Sequence, residues 1–149
     1  MRATALLLVL SSLAGCSNLT ELSSRGNLDE VVPRIASLFS ACDLDSLVSR
    51  YASSVEFFSP STPQPLRGRE AIRSYFLGAC NGATRPIMKV DSQHTKLLSS
   101  SSAVITGAYS FGRSDRPNAK PWPAFFVVTV VAEGNDWLIT TQATFPIPE

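Results

Sequence analysis

The sequence predicts an α+β fold, in which helices cover one side of a twisted antiparallel sheet. Apolar residues recur at helical spacing between Asp29 and Cys80, and four segments rich in β-branched and aromatic residues follow. Helices that precede a run of successive strands are typical of this fold class. One of the later segments, "AFFVVTVV", is apolar on both faces, so a second layer should cover each side of it.

The first fifteen residues form a predicted export signal. They contain the basic Arg2, an apolar run over residues 3–13 and small residues before Cys16. The run is shorter than the about 20 residues that a membrane-spanning helix needs. The sequence Leu13-Ala14-Gly15-Cys16 resembles the lipobox of bacterial lipoproteins. That resemblance implies cleavage before Cys16 and acylation of its thiol, and an ordinary secretory signal is the alternative.

The resemblance to lipoprotein signals also implies a location. Ser17, rather than an aspartate, follows the cysteine, which in Gram-negative bacteria favours the outer membrane, with the domain facing the periplasm. We therefore expect a lipid-anchored protein of the bacterial cell envelope. Its membrane contact would be the N-terminal lipid.

Residues 16–27 are small and polar and are predicted to form a tether, which leaves residues 28–149 as one domain. Loss of residues 1–15 takes the formal charge from +1 to 0, and the remaining basic residues form no stripe along the sequence. We therefore expect no nucleic-acid partner. Cys42 and Cys80 remain as an even pair, either joined by a disulfide in an oxidising compartment or present as two buried thiols.

Two short helices are predicted to form a hairpin. The first begins near Asp29, which would cap it, and places Pro33 at its fourth position, where no intrahelical N–H bond is lost. Its apolar stripe consists of Val31, Ile35, Leu38 and Phe39. Asp43 begins the second helix, which carries Leu44, Leu47, Val48 and Tyr51 at helical spacing.

A short strand, a loop and a third helix come next. The stretch "ASSVEFFSP" alternates as a strand, with Val55, Phe57 and Ser59 on one face, and the proline-rich "PSTPQPLRG" follows it. The third helix, "REAIRSYFLGAC", carries Ile72, Tyr75, Phe76 and Cys80 on one side. The four later strands are predicted over residues 87–98, 103–111, 124–132 and 137–145. A sister subunit is a candidate to cover the second apolar face of the third of these, so a homodimer is expected.

The run "VVPRIASLFSACDLDSLVSRYASSVEFFSP", followed by "LRGREAIRSYF", resembles the nuclear transport factor 2-like superfamily. That superfamily includes ketosteroid isomerases, cyclases of the SnoaL type and the association domain of calcium/calmodulin-dependent protein kinase II. The ending "FFVVTVVAEGNDWLITTQATFPIP" is similar to small bacterial proteins grouped with that association domain. The resemblance implies a cone, in which a curved antiparallel sheet is closed by three helices around an apolar pocket, often dimeric through the outer face of the sheet.

The resemblance also identifies two positions at which isomerases carry catalytic groups. The helix-1 tyrosine that polarises the substrate carbonyl corresponds to Ile35, and the proton-transferring carboxylate at the end of the first strand corresponds to Ser59. Isoleucine has no proton to donate, and an unassisted serine is no general base near neutral pH. Isomerase chemistry by that route is not expected.

The remaining candidates for a pocket are aromatic or polar. His94 is the only histidine and is either a general base or a surface residue on a strand where Ser92, His94 and Lys96 share a face. Tyr75 corresponds to a pocket-lining position of the isomerases and would otherwise be core. Gln142 could orient a ligand carbonyl, or face a partner or solvent. Trp122, between two prolines, marks a rim, an interface or a loop anchor. The predicted pocket residues are Ile35, Phe39, Phe57, Ser59, Tyr75, His94 and Gln142.

We expect no metal or other cofactor, because one histidine and two paired cysteines do not make a typical transition-metal site. Three functions remain open. The first is a membrane-anchored domain that holds a small apolar ligand without transforming it. The second is an isomerase- or cyclase-type enzyme that uses His94, and the third is an interaction module whose cavity is filled by Phe39, Phe57, Tyr75 and Phe126.

Overall fold

The computed structural model describes residues 26–148. The predicted signal, Cys16, most of the predicted tether and Glu149 lie outside the described residues. Within them, a 3₁₀ turn (Leu28–Glu30) precedes the first helix. The helices are α1 (Val31–Ala41), α2 (Leu44–Ser49) and α3 (Gly68–Cys80), and the strands are β1 (Tyr51–Phe58), β2 (Leu66–Arg67), β3 (Pro86–Ser99), β4 (Ser102–Arg113), β5 (Trp122–Glu133) and β6 (Asp136–Pro146).

The six described strands form one sheet in the order β2-β1-β6-β5-β4-β3. The predicted α+β architecture is confirmed, and all neighbours pair antiparallel except β1 and β6, which are parallel. A parallel pair requires a long crossover connection, which here is the whole chain between the two strands. Their register pairs Phe57 with Gln142 and so places the end of β1 beside the middle of β6.

The three helices lie against one face of the sheet, and the core lies between the two layers. Buried side chains come from α1, α3 and the inner faces of the long strands: Val32, Ile35, Phe39, Ile72, Phe76, Ile105, Tyr109, Phe126, Val128 and Ile139. Along strand β5, buried and exposed side chains alternate: Phe126 is buried, whereas Phe125 is 51% exposed. The apolar outer face inferred for this strand is therefore open to solvent in a single chain.

The joint between α1 and α2 agrees with the sequence. Asp43 caps α2 by accepting a hydrogen bond from the Ser46 N–H, and hydrogen bonds from the Ser46 hydroxyl and then its backbone lower the pKa of Asp43. Cys42 ends α1 in the left-handed conformation (φ 55°), and its N–H bonds back to the helix. The predicted disulfide joins Cys42 to Cys80, whose Cα atoms are 5.8 Å apart.

The first helix begins one residue later than predicted, because the predicted fourth position of Pro33 placed the first helical residue at Glu30. The side chain of Asn27, rather than Asp29, accepts the capping hydrogen bond, and it caps the 3₁₀ turn. Helix α1 begins at Val31, so Pro33 is its third residue, where the missing N–H still costs no helical bond. The Asp29 carboxylate instead accepts a 2.8 Å hydrogen bond from the Thr95 hydroxyl, which ties this turn to β3.

Strand β3 contains a bulge between Val90 and Ser92, beside Gly107 of β4. A Cβ atom added at Gly107 would lie 2.0 Å from the backbone oxygen of Ser92 and 2.8 Å from the Phe126 ring. A glycine is therefore required at this position, because the two backbones approach too closely for any side chain. The bulge bends the strand and exchanges which of its faces points inward.

Candidate functional site

A cavity of about 310 Å³ lies between α1, α3 and the inner face of the sheet. It falls at the low end of the range of about 300–1,000 Å³ for small-molecule sites. Its lining residues come from the helices, the end of β1 and its following loop, and the four long strands: Ile35, Phe39, Phe57, Ser59, Pro60, Ser61, Tyr75, Phe76, Ala79, Met88, Tyr109, Phe111, Trp122, Gln142 and Thr144.

Aromatic rings wall the cavity without filling it. Phe57 packs against Tyr75 with ring centroids 5.1 Å apart, and Phe39 packs against Phe76 at the same distance. Phe126 lies behind this wall, stacked on Tyr109 at 4.9 Å. The open volume argues against an interaction module whose cavity is occupied by its own aromatic side chains.

Three hydroxyl groups meet where β1 ends. Ser59 Oγ lies 2.8 Å from both Ser61 Oγ and Tyr75 Oη, and Ser61 Oγ lies 3.1 Å from Tyr75 Oη. The Ser61 N–H also donates to Ser59 Oγ over 3.2 Å. The neighbours of Ser59 are thus hydroxyl groups and a backbone amide, none of which can remove its proton near neutral pH. Within the part of the chain that the structure describes, Ser59 therefore has the surroundings of a hydrogen-bonding group and lacks those of a nucleophile.

A second set of hydrogen-bonded polar side chains lies on the inner face of the sheet. Tyr51 Oη donates a 2.8 Å hydrogen bond to Gln142 Oε1, and Tyr109 Oη is hydrogen-bonded to Thr144 Oγ1. Burial first, and then the neighbouring Tyr109 and Tyr75, raise the pKa of Tyr51 well above its ordinary value. Burial also raises the pKa of Tyr109, against smaller lowering by hydrogen bonds from Thr144 and Gln142. Tyr51 and Tyr109 are therefore protonated at neutral pH.

The chemistry available in the cavity follows from this lining. The residues that line it include no carboxylate, histidine, lysine or arginine, and its titratable groups are the tyrosines. General acid–base catalysis works best with a group whose pKa lies near the working pH. The cavity can therefore bury apolar surface and orient a polar group through hydroxyl and amide contacts, but it offers no charged base.

The structure brings six of the seven predicted pocket residues together. Ile35, Phe39, Phe57, Ser59, Tyr75 and Gln142 all line the cavity. Ile35 and Ser59, the two positions that the sequence resemblance aligned with the isomerase acid and base, line the same cavity. Their assignment as binding residues stays a prediction.

The placement of His94 in the pocket was wrong. His94 is exposed on β3, and none of its atoms lines the cavity. Simple alternation from the buried Met88 would turn it inward, but the bulge between Val90 and Ser92 reverses the faces. Beyond the bulge, Gln93 and Thr95 point inward and contact Asp29.

Several lining residues were not predicted as pocket residues, among them Ser61, Met88, Phe111 and Thr144. Two signals were present in the sequence. Tyr109 and Phe111 share a face of one strand, and Thr144 lies two residues after Gln142, on the same face. Trp122, for which a rim, an interface or a loop anchor was predicted, is 46% exposed and lines the cavity. It stacks on Phe111 with centroids 5.4 Å apart.

Two features of the described residues bear on other functions. Between residues 26 and 148, no three side chains among histidine, cysteine, aspartate and glutamate are grouped to hold a metal ion. Over the same residues, each helix is too short or too polar to cross a bilayer.

Comparison with known proteins places the fold. No family model and no curated protein matches the sequence. Among solved structures, a nuclear transport factor 2-like protein of unknown function from Pseudomonas putida superposes with a TM-score of 0.73 at 12% identity, covering 91% of this chain and 92% of that one. A candidate calcium/calmodulin-dependent protein kinase II association domain from Xanthomonas campestris gives 0.70 at 18% identity, covering 85% and 91%.

A candidate scytalone dehydratase from Novosphingobium aromaticivorans gives a TM-score of 0.71 at 12% identity, covering 88% of this chain and 87% of that one. The chain therefore has the nuclear transport factor 2-like fold that its sequence resembles. At such identities the likeness is one of fold, and function has to be argued from the site.

Proposed function

We propose that this protein is a lipid-anchored domain of the bacterial cell envelope that binds a small, mainly apolar molecule without transforming it. One observation carries the proposal. The cavity is open and walled by aromatic rings, and its polar groups are uncharged hydroxyls and an amide. Such a lining favours burial of apolar surface together with orientation of one polar group.

The absence of a charged base from the lining supports a holding role over catalysis. The two isomerase-like positions carry Ile35 and Ser59, and the histidine that an enzyme would need lies outside the cavity. Tyr51 and Tyr109 remain protonated and can donate hydrogen bonds. Because the Tyr51 bond holds Gln142 Oε1, the amide nitrogen of Gln142 is left to contact Tyr109 and a ligand acceptor.

The test is whether the cavity carries a ligand. Native mass spectrometry of the purified protein should detect a co-purifying small molecule, which denaturation releases chemically unchanged. Ala79→Trp should abolish this binding, because Ala79 lies exposed on α3 and lines the cavity, so that an indole ring there obstructs it. Leu77→Trp is the matched control, since Leu77 is 49% exposed on the same helix and does not line the cavity.

Equal ligand occupancy in the Ala79→Trp and Leu77→Trp proteins would contradict a ligand site in this cavity. Release of a molecule chemically altered relative to the one supplied would contradict the non-catalytic part of the proposal. In that case the tyrosines would be the groups to examine, because His94 lies outside the site.

The anchor is proposed from the sequence, since Cys16 lies outside the described residues. Cys16→Ser should abolish incorporation of a labelled fatty acid and move the protein from the membrane to the soluble fraction. A single acyl chain binds membranes only marginally, so several chains on one cysteine would be needed for stable anchoring. Unchanged membrane fractionation of the Cys16→Ser protein would overturn this part.

A homodimer is proposed through the outer face of the sheet. Phe125 and Phe145 are register partners on β5 and β6, and each is about half exposed, beside the exposed Val127. An apolar patch on paired strands is a typical interface between copies of a chain. Phe125→Lys should convert a dimer to a monomer in light scattering, whereas Leu98→Lys, at a 57% exposed leucine of β3, should not. A wild-type protein that is monomeric at micromolar concentration would contradict the dimer.

A further inference from the structure

A second depression adjoins the mouth of the cavity. We call it the basic groove, and it is lined by Phe111, Gly112, Arg113, Arg116, Ala119, Lys120 and Trp122. Phe111 and Trp122 line the cavity as well, so the stacked pair of rings forms the boundary between the two spaces. A molecule that leaves the cavity past these rings enters the basic groove.

The two spaces differ sharply in charge. The cavity lining carries no charged side chain, whereas the basic groove is lined by three cationic side chains and by no carboxylate. Arg113 is partly neutralised, because its Nε lies 3.2 Å from Asp115 Oδ1. Arg116 has no carboxylate within ion-pair distance among residues 26–148, so its charge is available to a ligand.

Turns fix the backbone of the segment that carries Arg113 and Arg116. The N–H of Arg116 donates to the Arg113 carbonyl over 3.1 Å, and the N–H of Ala119 donates to the Arg116 carbonyl over the same distance. Two consecutive turns therefore shape the segment between β4 and β5. Pro121 and Pro123 flank the exposed Trp122 and limit the freedom of the chain where this segment meets the cavity.

We propose that the cavity and the basic groove together bind an anionic amphiphile, with its apolar tail in the cavity and its headgroup at Arg116. This inference rests on the proposed binding function and specifies its ligand class. The tail lies among the aromatic rings of the cavity. Its apolar surface is thereby removed from water, which stabilises the complex. The headgroup stays near solvent, where a guanidinium group recognises a carboxylate or phosphate through paired N–H donors.

The cavity limits the length of the tail. Taking roughly 30 Å³ for each water-sized group, 310 Å³ accommodates about ten such groups. A carboxylate with a ten-carbon chain is therefore a suitable probe. Decanoate, 1-decanol and decylamine each have a ten-carbon chain and differ in headgroup charge. A comparison of their dissociation constants therefore separates the contribution of the apolar tail from that of the headgroup charge.

The experiment measures the dissociation constants of the three probes by isothermal titration calorimetry. It uses the full chain with Cys16→Ser, so that no anchor lipid competes for the cavity. We expect decanoate to bind about fivefold more tightly than decanol at low salt, since one exposed charge pair contributes up to about this factor. The preference should shrink as salt is added, because the groove is open to solvent. Decylamine should bind least tightly.

Arg116→Gln should weaken decanoate binding about threefold to fivefold and leave decanol binding unchanged. Arg116→Lys, which keeps the charge, should retain part of the preference. Arg34→Gln is the matched control, because Arg34 is an exposed arginine beside the turn that ends β5, far from Trp122 at the start of that strand. It changes the net charge equally and should leave all three dissociation constants unchanged.

Each other outcome has a distinct meaning. If decanol and decanoate bind equally and Ala79→Trp abolishes both, the cavity binds ligand but the anionic headgroup is overturned. If decylamine binds most tightly, or if Arg34→Gln acts as strongly as Arg116→Gln, the assignment of the headgroup site is overturned. If none of the three probes binds, the inference fails, and the proposed function is then judged by co-purification alone.

Discussion

The Tyr51 hydroxyl donates a 2.8 Å hydrogen bond to Gln142 Oε1 at the floor of the sheet, where Tyr51 is fully buried and Gln142 is 4% exposed. The two residues lie on β1 and β6, the parallel pair. The bond therefore joins two neighbouring strands, of which β6 lies near the middle of the sheet, and it fixes the amide that faces the cavity. A buried carbonyl oxygen without a donor costs about 1–3 kcal/mol.

Removal of this hydroxyl should destabilise the protein. Tyr51→Phe leaves Gln142 Oε1 without its donor, so we expect the free energy of unfolding in urea to fall by about 1–3 kcal/mol. Tyr75→Phe is the control, because its hydroxyl lies half-buried at the serine cluster and water can replace the lost contact. Equal losses in the two variants would contradict the role given to the Tyr51 bond.

Stability should fall at alkaline pH. The folded-state pKa values of Tyr51 and Tyr109 are raised above the value of about 10 for an unfolded tyrosine. Their contribution is fully present below pH about 10 and is lost as pH rises through the higher folded-state values, because the unfolded chain then releases protons more readily. Urea unfolding at pH 8, 10 and 11 measures this. The double variant Tyr51→Phe/Tyr109→Phe should show a shallower decline, and an unchanged decline would refute the assignment.

Reduction of the disulfide should loosen the helical layer. The bond between Cys42 and Cys80 closes a loop with a sequence separation of 38, for which the chain-entropy relation gives about 4 kcal/mol. We expect dithiothreitol to lower the free energy of unfolding by about 2–4 kcal/mol. The Cys42→Ala/Cys80→Ala protein should be insensitive to the reductant. Alkylation of two thiols in the unreduced protein would show that the bridge is absent.

Gly107→Ala should disrupt the pairing of β4 with the edge strand β3. The added Cβ would lie 2.0 Å from Ser92 O, a backbone atom that cannot move without breaking the β3–β4 pairing. We expect a loss of about 3 kcal/mol or more. Gly112→Ala on the same strand is the matched control, because its Cβ would lie 3.8 Å from Ile87 Cβ, an ordinary contact. It should change stability by less than about 1 kcal/mol, as thermal unfolding can measure.

The close approach at Gly107 also explains why one pocket residue was mispredicted. A bulge depends on how the backbones of two paired strands fit together, so the alternating pattern of one strand alone does not reveal it. The sequence pattern predicted that Ser92, His94 and Lys96 share a face, and the structure gives that face to solvent. The same alternation was correct for Val55, Phe57 and Phe58 of β1 and for Phe125 and Phe126 of β5. The register shifts of these two strands lie before Glu56 and between Thr129 and Val130.

The sequence pattern likewise did not predict which strand β1 pairs with. The prediction of an antiparallel sheet held wherever consecutive strands are joined by short turns. The parallel pairing of β1 with β6 depends on two segments about 80 residues apart in the chain. It brings Phe57 beside Gln142 and so completes the wall of the cavity.

The sequence by itself determined the α+β class, the order of the three helices and the five longer strands, the cap at Asp43 and the presence of Cys42 and Cys80 as an even pair, because each depends on local spacing, capping or the number of cysteines. Whether that pair is bridged was left open by the sequence, and the tertiary structure joins it. Only the tertiary structure decided that the cavity is open, that His94 lies outside it and that Arg116 stands at its mouth. These outcomes depend on strand register, on a bulge and on the volume left between packed layers. Such quantities arise from distant residues meeting in space, and no stretch of the sequence carries them alone.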